Sequence, residues 1–207
     1  MARRSGSRRW LDAHFADPWV REAQRRGLRS RAAFKLEEID QRDGLLEPGQ
    51  CVVDLGAAPG GWSEYAAGRI GRRGRVIAID LLDMSAPPGV EFVQADFSAA
   101  DGLARLDAAL QGRAVDLVLS DMAPNLSGQK AIDQPRAMRL TELALDFCAD
   151  RLKPGATLLV KAFQGQGFDA LLGDMRQRFA RVRSRKPRAS RDRSREVYLL
   201  ARGFRAV

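Results

Sequence analysis

The chain alternates between short, predominantly apolar runs and longer stretches in which apolar residues recur every three or four positions. The short runs are "CVVDL" (51–55), "RVIAID" (75–80), "VEFVQAD" (90–96), "VDLVLSD" (115–121) and "ATLLVKAF" (156–163). Turn signals lead into them: "EPG" before the first, "GRRG" before the second and "KPG" before the fifth. Short apolar runs bounded in this way read as strands covered on both faces. Two further strand candidates, 179–186 and 195–203, follow at the C-terminal end. Helical periodicity fills the intervals at 30–42, 61–69, 99–110, 134–152 and 167–178. Strand and helix in repeated alternation predict an α/β fold with a mostly parallel sheet and helices on both faces. The last two strand candidates, joined by a basic turn, predict an antiparallel addition at the end of that sheet. No internal repeat is present, and 207 residues suit one domain of this kind.

In an open α/β sheet, ligands bind outside the carboxyl ends of the strands. Here Asp54 lies near the end of the first strand, and Asp80, Asp96 and Asp121 end the next three. Any one of them is explained as a cap or turn former. Four at four successive strand ends are harder to explain so. Lys161 interrupts the fifth run just before its end. Lysine is among the residues least often buried, and snorkelling at a strand end is its bland alternative.

The first strand runs into "DLGAAPGGW" (54–62). Glycines allow a tight turn and close approach of a ligand to the backbone. The dinucleotide pattern G-x-G-x-x-G, which seats pyrophosphate on a helix N-terminus, is not met: Ala58 stands where its second glycine belongs and Pro59 follows. No G-x-x-x-x-G-K-[ST] phosphate loop exists either. A ligand with an adenosine and no phosphate suits such a turn, and S-adenosylmethionine is one. Asp80, 20 residues beyond Gly60, is placed to accept from ribose hydroxyls, a device that NAD proteins share. Asp96 is placed to accept from an adenine amino group, with Phe97 beside the ring.

Charge changes the picture of partners. The net charge is +9, unevenly spread. Residues 1–35 hold ten Lys/Arg against three acids, residues 176–205 hold twelve against two, and the segment between carries −8. Two basic ends are either solvated surface or the footprint of a polyanion. Trp10, Phe15 and Trp19 among the first basic residues fit RNA, and "RSRKPRASRDRSR" (183–195) reads as a linker or an RNA-facing loop. Cys51 and Cys148 form no disulfide framework or ligand cluster, which points to a reducing compartment. His14 is the only histidine, so His-based triads and metal sites are nearly excluded. With no apolar segment behind the basic N-terminus and no membrane-length run, the expectation is a soluble, cytoplasmic protein.

"DLGAAPGGWSEY", "SDMAPNLSG", "LLVKAFQG" and "SREVYLLA" occur in this order. Together they resemble the FtsJ-type (RrmJ) ribosomal RNA 2'-O-methyltransferases, from "SRAAFKL" (30–36) to the end of the chain. The resemblance implies a Rossmann-like S-adenosylmethionine-dependent methyltransferase fold, with residues 30–207 as a single domain behind a basic extension, 1–29. It implies 2'-O-methylation of an A-loop uridine of 23S ribosomal RNA in the large (50S) ribosomal subunit; the short, coreless N-terminal extension gives no reason to expect more than a monomer, and no residue cluster suggests a metal. The resemblance places a Lys-Asp-Lys-Glu tetrad on Lys35, Asp121, Lys161 and Glu196. Cofactor contacts fall on Gly60, Trp62, Asp80, Asp96 and Asp121.

A ribose 2'-OH is a poor nucleophile while protonated, and a base beside it assists as the oxygen–carbon bond forms. Lysine is the base available here. At an ordinary pKa of about 10.4 only about one lysine in a thousand is neutral near pH 7.4, so burial and a neighbouring cation must favour the free amine. Lys35 is a candidate for that cation beside Lys161. Three other readings stay open: the same chemistry on tRNA or an mRNA cap, a non-catalytic ribosome-assembly factor, and an NAD-dependent oxidoreductase, against which Ala58-Pro59 argues.

Overall fold

The computed structural model describes residues 17–124, 127–191 and 194–205. Its strands are β1 (Cys51–Leu55), β2 (Arg75–Asp80), β3 (Val90–Gln94), β4 (Val115–Ser120), β5 (Leu152–Phe163), β6 (Phe179–Arg185) and β7 (Glu196–Phe204). They form one sheet in the order β3-β2-β1-β4-β5-β7-β6. Strands β1 to β5 pair in parallel, and β7 runs antiparallel to both β5 and β6. The expected mostly parallel α/β sheet with an antiparallel C-terminal strand is thus borne out. Strand order reverses beside β1, which has β2 on one side and β4 on the other, and such a reversal opens a crevice at the carboxyl ends.

The helices are α1 (Pro18–Arg25), α2 (Ala33–Asp43), α3 (Gly61–Ile70), α4 (Ala100–Leu110), α5 (Lys130–Arg151) and α6 (Phe168–Arg178). Side chains alternate across a strand, so neighbours divide between two cores. Val52, Leu117 and Leu159 pack with Leu36, Ile39, Trp62 and Ile70 of α2 and α3. Val53, Val118 and Leu158 pack with Leu106, Leu145, Leu171 and Met175 of α4, α5 and α6 on the other face. Each fully buried aliphatic side chain of this kind contributes about 1.5–3 kcal/mol.

A buried carboxylate fixes the layer that carries the site. Asp40 near the end of α2 accepts from the Leu45 and Leu46 amides and from the Tyr65 hydroxyl and Arg69 guanidinium of α3. With its lone pairs so used, it ties α2 to α3 and to the entry of β1.

Several elements differ from the sequence reading, among them α2, which starts at Ala33 and not at 30. β3 stops at Gln94, and Asp96 lies beyond it in a turn. β5 begins at Leu152, directly from α5, with "KPG" inside the strand and a shifted register against β4. α5 starts at Lys130 and carries Pro135 within it. α1 was not anticipated. Asp17 caps it by accepting from the Trp19 amide, Pro18 opens it, and it packs Ala23 with Phe34 and Ala189. Trp10, Phe15 and His14 lie outside the described residues, as do Asp192 and Arg193 of the basic loop.

Candidate active site

Lys161 on β5 stands directly opposite Tyr198 on β7, and Phe163 opposite Glu196. With a period of two, Lys161, Glu196 and Tyr198 share the sheet face that α2 covers. From α2, Lys35 enters the same space. Asp121 follows the last residue of β4, whose Ser120 pairs with Val160, so its carboxylate arrives beside Lys161. The four residues of the expected tetrad are therefore brought together from four elements.

Lys161 Nζ lies 2.7 Å from Asp121 Oδ1 and also donates to the Asp121 carbonyl at 2.7 Å. Lys35 Nζ donates to Glu196 Oε1 at 2.7 Å and to the Tyr198 hydroxyl at 2.8 Å. The long diagonals, Lys35 to Asp121 at 3.9 Å and Lys161 to Glu196 at 4.0 Å, close the group. Tyr198 gives its one proton to Asp121 Oδ1 in a short hydrogen bond, so its hydroxyl links Lys35 to the opposite carboxylate. Ser190, buried in the basic loop, donates to Glu196 Oε1 at 3.0 Å.

The charges are well out of water: Lys35 is 5% exposed and Lys161 8%. Two cations against two carboxylates make a neutral cluster, which is the condition for burying such groups without a large penalty. Burial holds the Lys35 ammonium below its ordinary pKa, and the charge of Lys161 adds to that against the pull of Asp121 and Glu196. For Glu196, burial works to raise the pKa, but the two ammonium groups outweigh it and keep the carboxylate below its ordinary value. Burial, followed by the two carboxylates, pushes the Tyr198 phenol well above its ordinary pKa, so it remains a donor. Tyr198 was not singled out from the sequence. The signal was present: it stands two residues after Glu196, on the same strand face.

The glycine-rich turn meets the same crevice. Gly56 has φ +75°, and a Cβ there would lie 2.2 Å from Met122 Cγ. Gly60, at φ 99°, caps α3. Asp80 accepts from the Ala58 amide with Oδ2 and from the Leu82 amide with Oδ1, so it shapes the turn while keeping lone pairs for a ligand. Asp96 is exposed, and its Oδ1 accepts from Ser98. Trp62 is 3% exposed, donates to the Ala32 carbonyl and packs its ring 5.6 Å from Tyr198. Asp54 is buried beneath the turn, accepting from the Ser63 hydroxyl at 2.6 Å, and desolvation raises its pKa to about 7.

A cavity of about 50 Å³ is lined by Gly56, Ala58, Pro59, Trp62, Asp54 and Asp121 among others. Asp121 thus joins the glycine turn to the tetrad. A larger groove of about 470 Å³ between α1 and α2 is lined by none of the expected site residues. Among the described residues no group of His, Cys, Asp and Glu is arranged to hold a metal ion, and no helix is long and apolar enough to cross a membrane.

The chain is similar to known proteins along most of its length. A protein of Alkalilimnicola ehrlichii called ribosomal RNA large subunit methyltransferase E is 60% identical over 98% of this chain and 97% of its own length. A protein of the same name from Halorhodospira halophila is 63% identical over 92% of this chain and 90% of its own. A crystal structure described as a ribosomal RNA methyltransferase from Plasmodium falciparum superposes with a TM-score of 0.77 at 29% identity, covering 86% of this chain and 100% of that one. Residues 28–204, which run from just before α2 to the end of β7 and hold every side chain of the cluster, match the model of the FtsJ-like methyltransferases, and the chain belongs to that family.

Proposed function

We propose that the protein transfers a methyl group from S-adenosylmethionine to the ribose 2'-OH of an A-loop uridine in 23S ribosomal RNA, presented in the large ribosomal subunit. The observation that carries this reading is the buried, neutral Lys-Asp-Lys-Glu group at the carboxyl end of the sheet, touching the glycine turn through Asp121. The names of relatives 60% and 63% identical to the chain support ribosomal RNA as the substrate.

The residues present fit the cofactor. The turn has no phosphate fingerprint, Gly56 and Gly60 hold it in conformations that favour glycine, and Asp80 at the turn and Asp121 at the cavity supply negative charge suited to a cation. Gly60, Trp62, Asp80, Asp96 and Asp121 are the residues proposed to hold it. When bound, S-adenosylmethionine supplies an electrophilic methyl group.

Lys161 is proposed as the base. As a free amine Lys161 has two N–H donors and a lone pair; with two of its directions turned to Asp121, the lone pair is left to take the proton of the acceptor hydroxyl. Its bond to a residue that lines the cavity makes it the better placed of the two lysines. Lys35, Glu196 and Asp121 hold its amine in place, and holding the reactants in line supplies much of the acceleration. The same proposal takes residues 30–207 as one methyltransferase domain behind the 1–29 extension, and the protein as a cytoplasmic monomer.

The test is methyl incorporation into purified 50S particles, free 23S RNA and bulk tRNA, with the modified nucleotide mapped. Label in the 2'-O position of an A-loop uridine on 50S particles is expected. Label chiefly in tRNA would replace the substrate, and saturable RNA binding with no incorporation into any of the three would leave an assembly factor.

A further inference from the structure

On the face of the sheet that carries the tetrad, α2 ends at Asp43 and leaves β6 uncovered. The register pairs Arg181 with Arg202 and Arg183 with Leu200, so these side chains rise together on that face. With Arg42 and Asp43 of α2 they line a cavity of about 160 Å³. Its charges are not mutually satisfied. Asp43 is taken by Arg185, at 2.5 Å and 2.7 Å, and Arg202 Nη2 donates to the carbonyls of Asp43 and Gly44 at the negative end of α2. Arg202 Nε is buried without a partner. Arg42, Arg181 and Arg183 are exposed, and their side chains make no hydrogen bond or ion pair with any described residue. Four arginines thus face one cavity whose single carboxylate is already engaged.

Charge on an edge strand also discourages strand pairing with other chains, but that purpose does not require the arginines to sit on one face with a helix end. Here the opposite face of β6 holds Ala180, Val182 and Ser184 instead. The planar guanidinium is the side chain suited to bidentate recognition of phosphate oxygens. The position matters as well. Lys35 in the tetrad and Asp43 at the groove are eight residues apart on α2, about 12 Å along its axis. That spans three or four phosphates of one strand in a duplex, at about 3.4 Å of axis each.

We infer that this arginine groove is a phosphate-backbone site for the substrate RNA, separate from the methyl-transfer centre and gripping the strand a few nucleotides from the target ribose. It rests on the RNA reading proposed above. It reads no sequence. It sets where along the RNA the tetrad comes to rest, since phosphate contacts position and base contacts specify.

The experiment compares the full chain with Arg181→Gln/Arg183→Gln and with a control pair, Arg72→Gln/Arg73→Gln, at the exposed α3–β2 turn. Equilibrium binding to deproteinised 23S RNA is measured between about 50 and 200 mM salt, with the melting temperature of each variant as the fold control. Two lost phosphate contacts should flatten the log–log salt slope by about 1.4–1.8, and affinity near 0.1 M salt should fall on the order of 25- to 60-fold. The control pair should keep the parent slope. An unchanged slope in the groove variant, or an equal flattening in the control, overturns the inference while leaving the methyltransferase reading intact. Normal RNA binding with methylation lost only on 50S particles would also overturn it, in favour of a ribosomal protein contact. A parent chain that neither binds nor methylates RNA would remove the underlying reading, and the inference with it.

Discussion

Asp54→Asn separates a buried acid from its charge with little change of shape. The carboxyl is fully enclosed beneath the glycine turn, and burial lifts its pKa from 3.8 to about 7. A difference of about three pKa units, at about 1.36 kcal/mol each, corresponds to about 4 kcal/mol between the two protonation states. The sign follows from proton counting. In the unfolded chain Asp54 loses its proton near pH 4, while the folded protein keeps it until about pH 7. Across that window the folded state holds one proton more, so stability falls as pH rises, and the full penalty is present above the folded pKa. The amide has no proton to lose. Urea unfolding of both proteins from about pH 4 to about pH 8 should show the variant gaining about 4 kcal/mol on the parent between the two ends. Other titrating groups are common to both proteins and cancel in the difference. A flat difference would mean that Asp54 ionises at an ordinary pKa and that desolvation does not govern it.

Lys161→Arg keeps the charge but cannot give up a proton near neutrality; it should fold and bind S-adenosylmethionine yet lose methyl transfer by roughly 10²–10⁴, and a near-parental single-turnover rate would exclude Lys161 as the base. Asp80→Ala should weaken S-adenosylmethionine binding roughly 10- to 150-fold by calorimetry, the worth of a hydrogen bond to a charged group. Tyr198→Phe strips the hydroxyl that joins Lys35 to Asp121 and leaves two buried charged groups short of a partner. It should cost about 1–3 kcal/mol in chemical denaturation, and an unchanged midpoint would show that the link contributes nothing to stability.

The central strands β1, β2 and β4 were legible because they are buried on both faces. Continuous apolar runs at 51–55 and 75–80 returned the bounds of β1 and β2, and the carboxylates that follow such runs marked the ligand end of the sheet. Boundaries moved where local signals compete. Pro135 resembles a helix start, but α5 begins five residues earlier and tolerates the proline within it. The "DP" pair at Asp17–Pro18 is a good helix start, an N-cap followed by proline, but the density of charge around it drew the reading towards an extension. The tetrad's membership came from motif resemblance, since nothing in local sequence brings Lys35 within 2.7 Å of a carboxylate 161 positions away. Pairing partners such as Asp43 with Arg185 lay beyond sequence reasoning for the same reason.

β7, which carries Glu196 and Tyr198, is the latest strand in the chain, yet it lies between β5 and β6. During synthesis, β1 to β4 and the glycine turn can pair as they emerge, each beside a strand already made. The exposed edge of β5 must wait, and β6 has no place in the sheet until β7 has slotted in beside it. Maturation is therefore ordered in time: the half that would seat the methyl donor can assemble first, and the acceptor side is completed by a single late insertion. Until that insertion a nascent chain has an open strand edge, exposed to mispairing, and a tetrad that still lacks Glu196 and Tyr198.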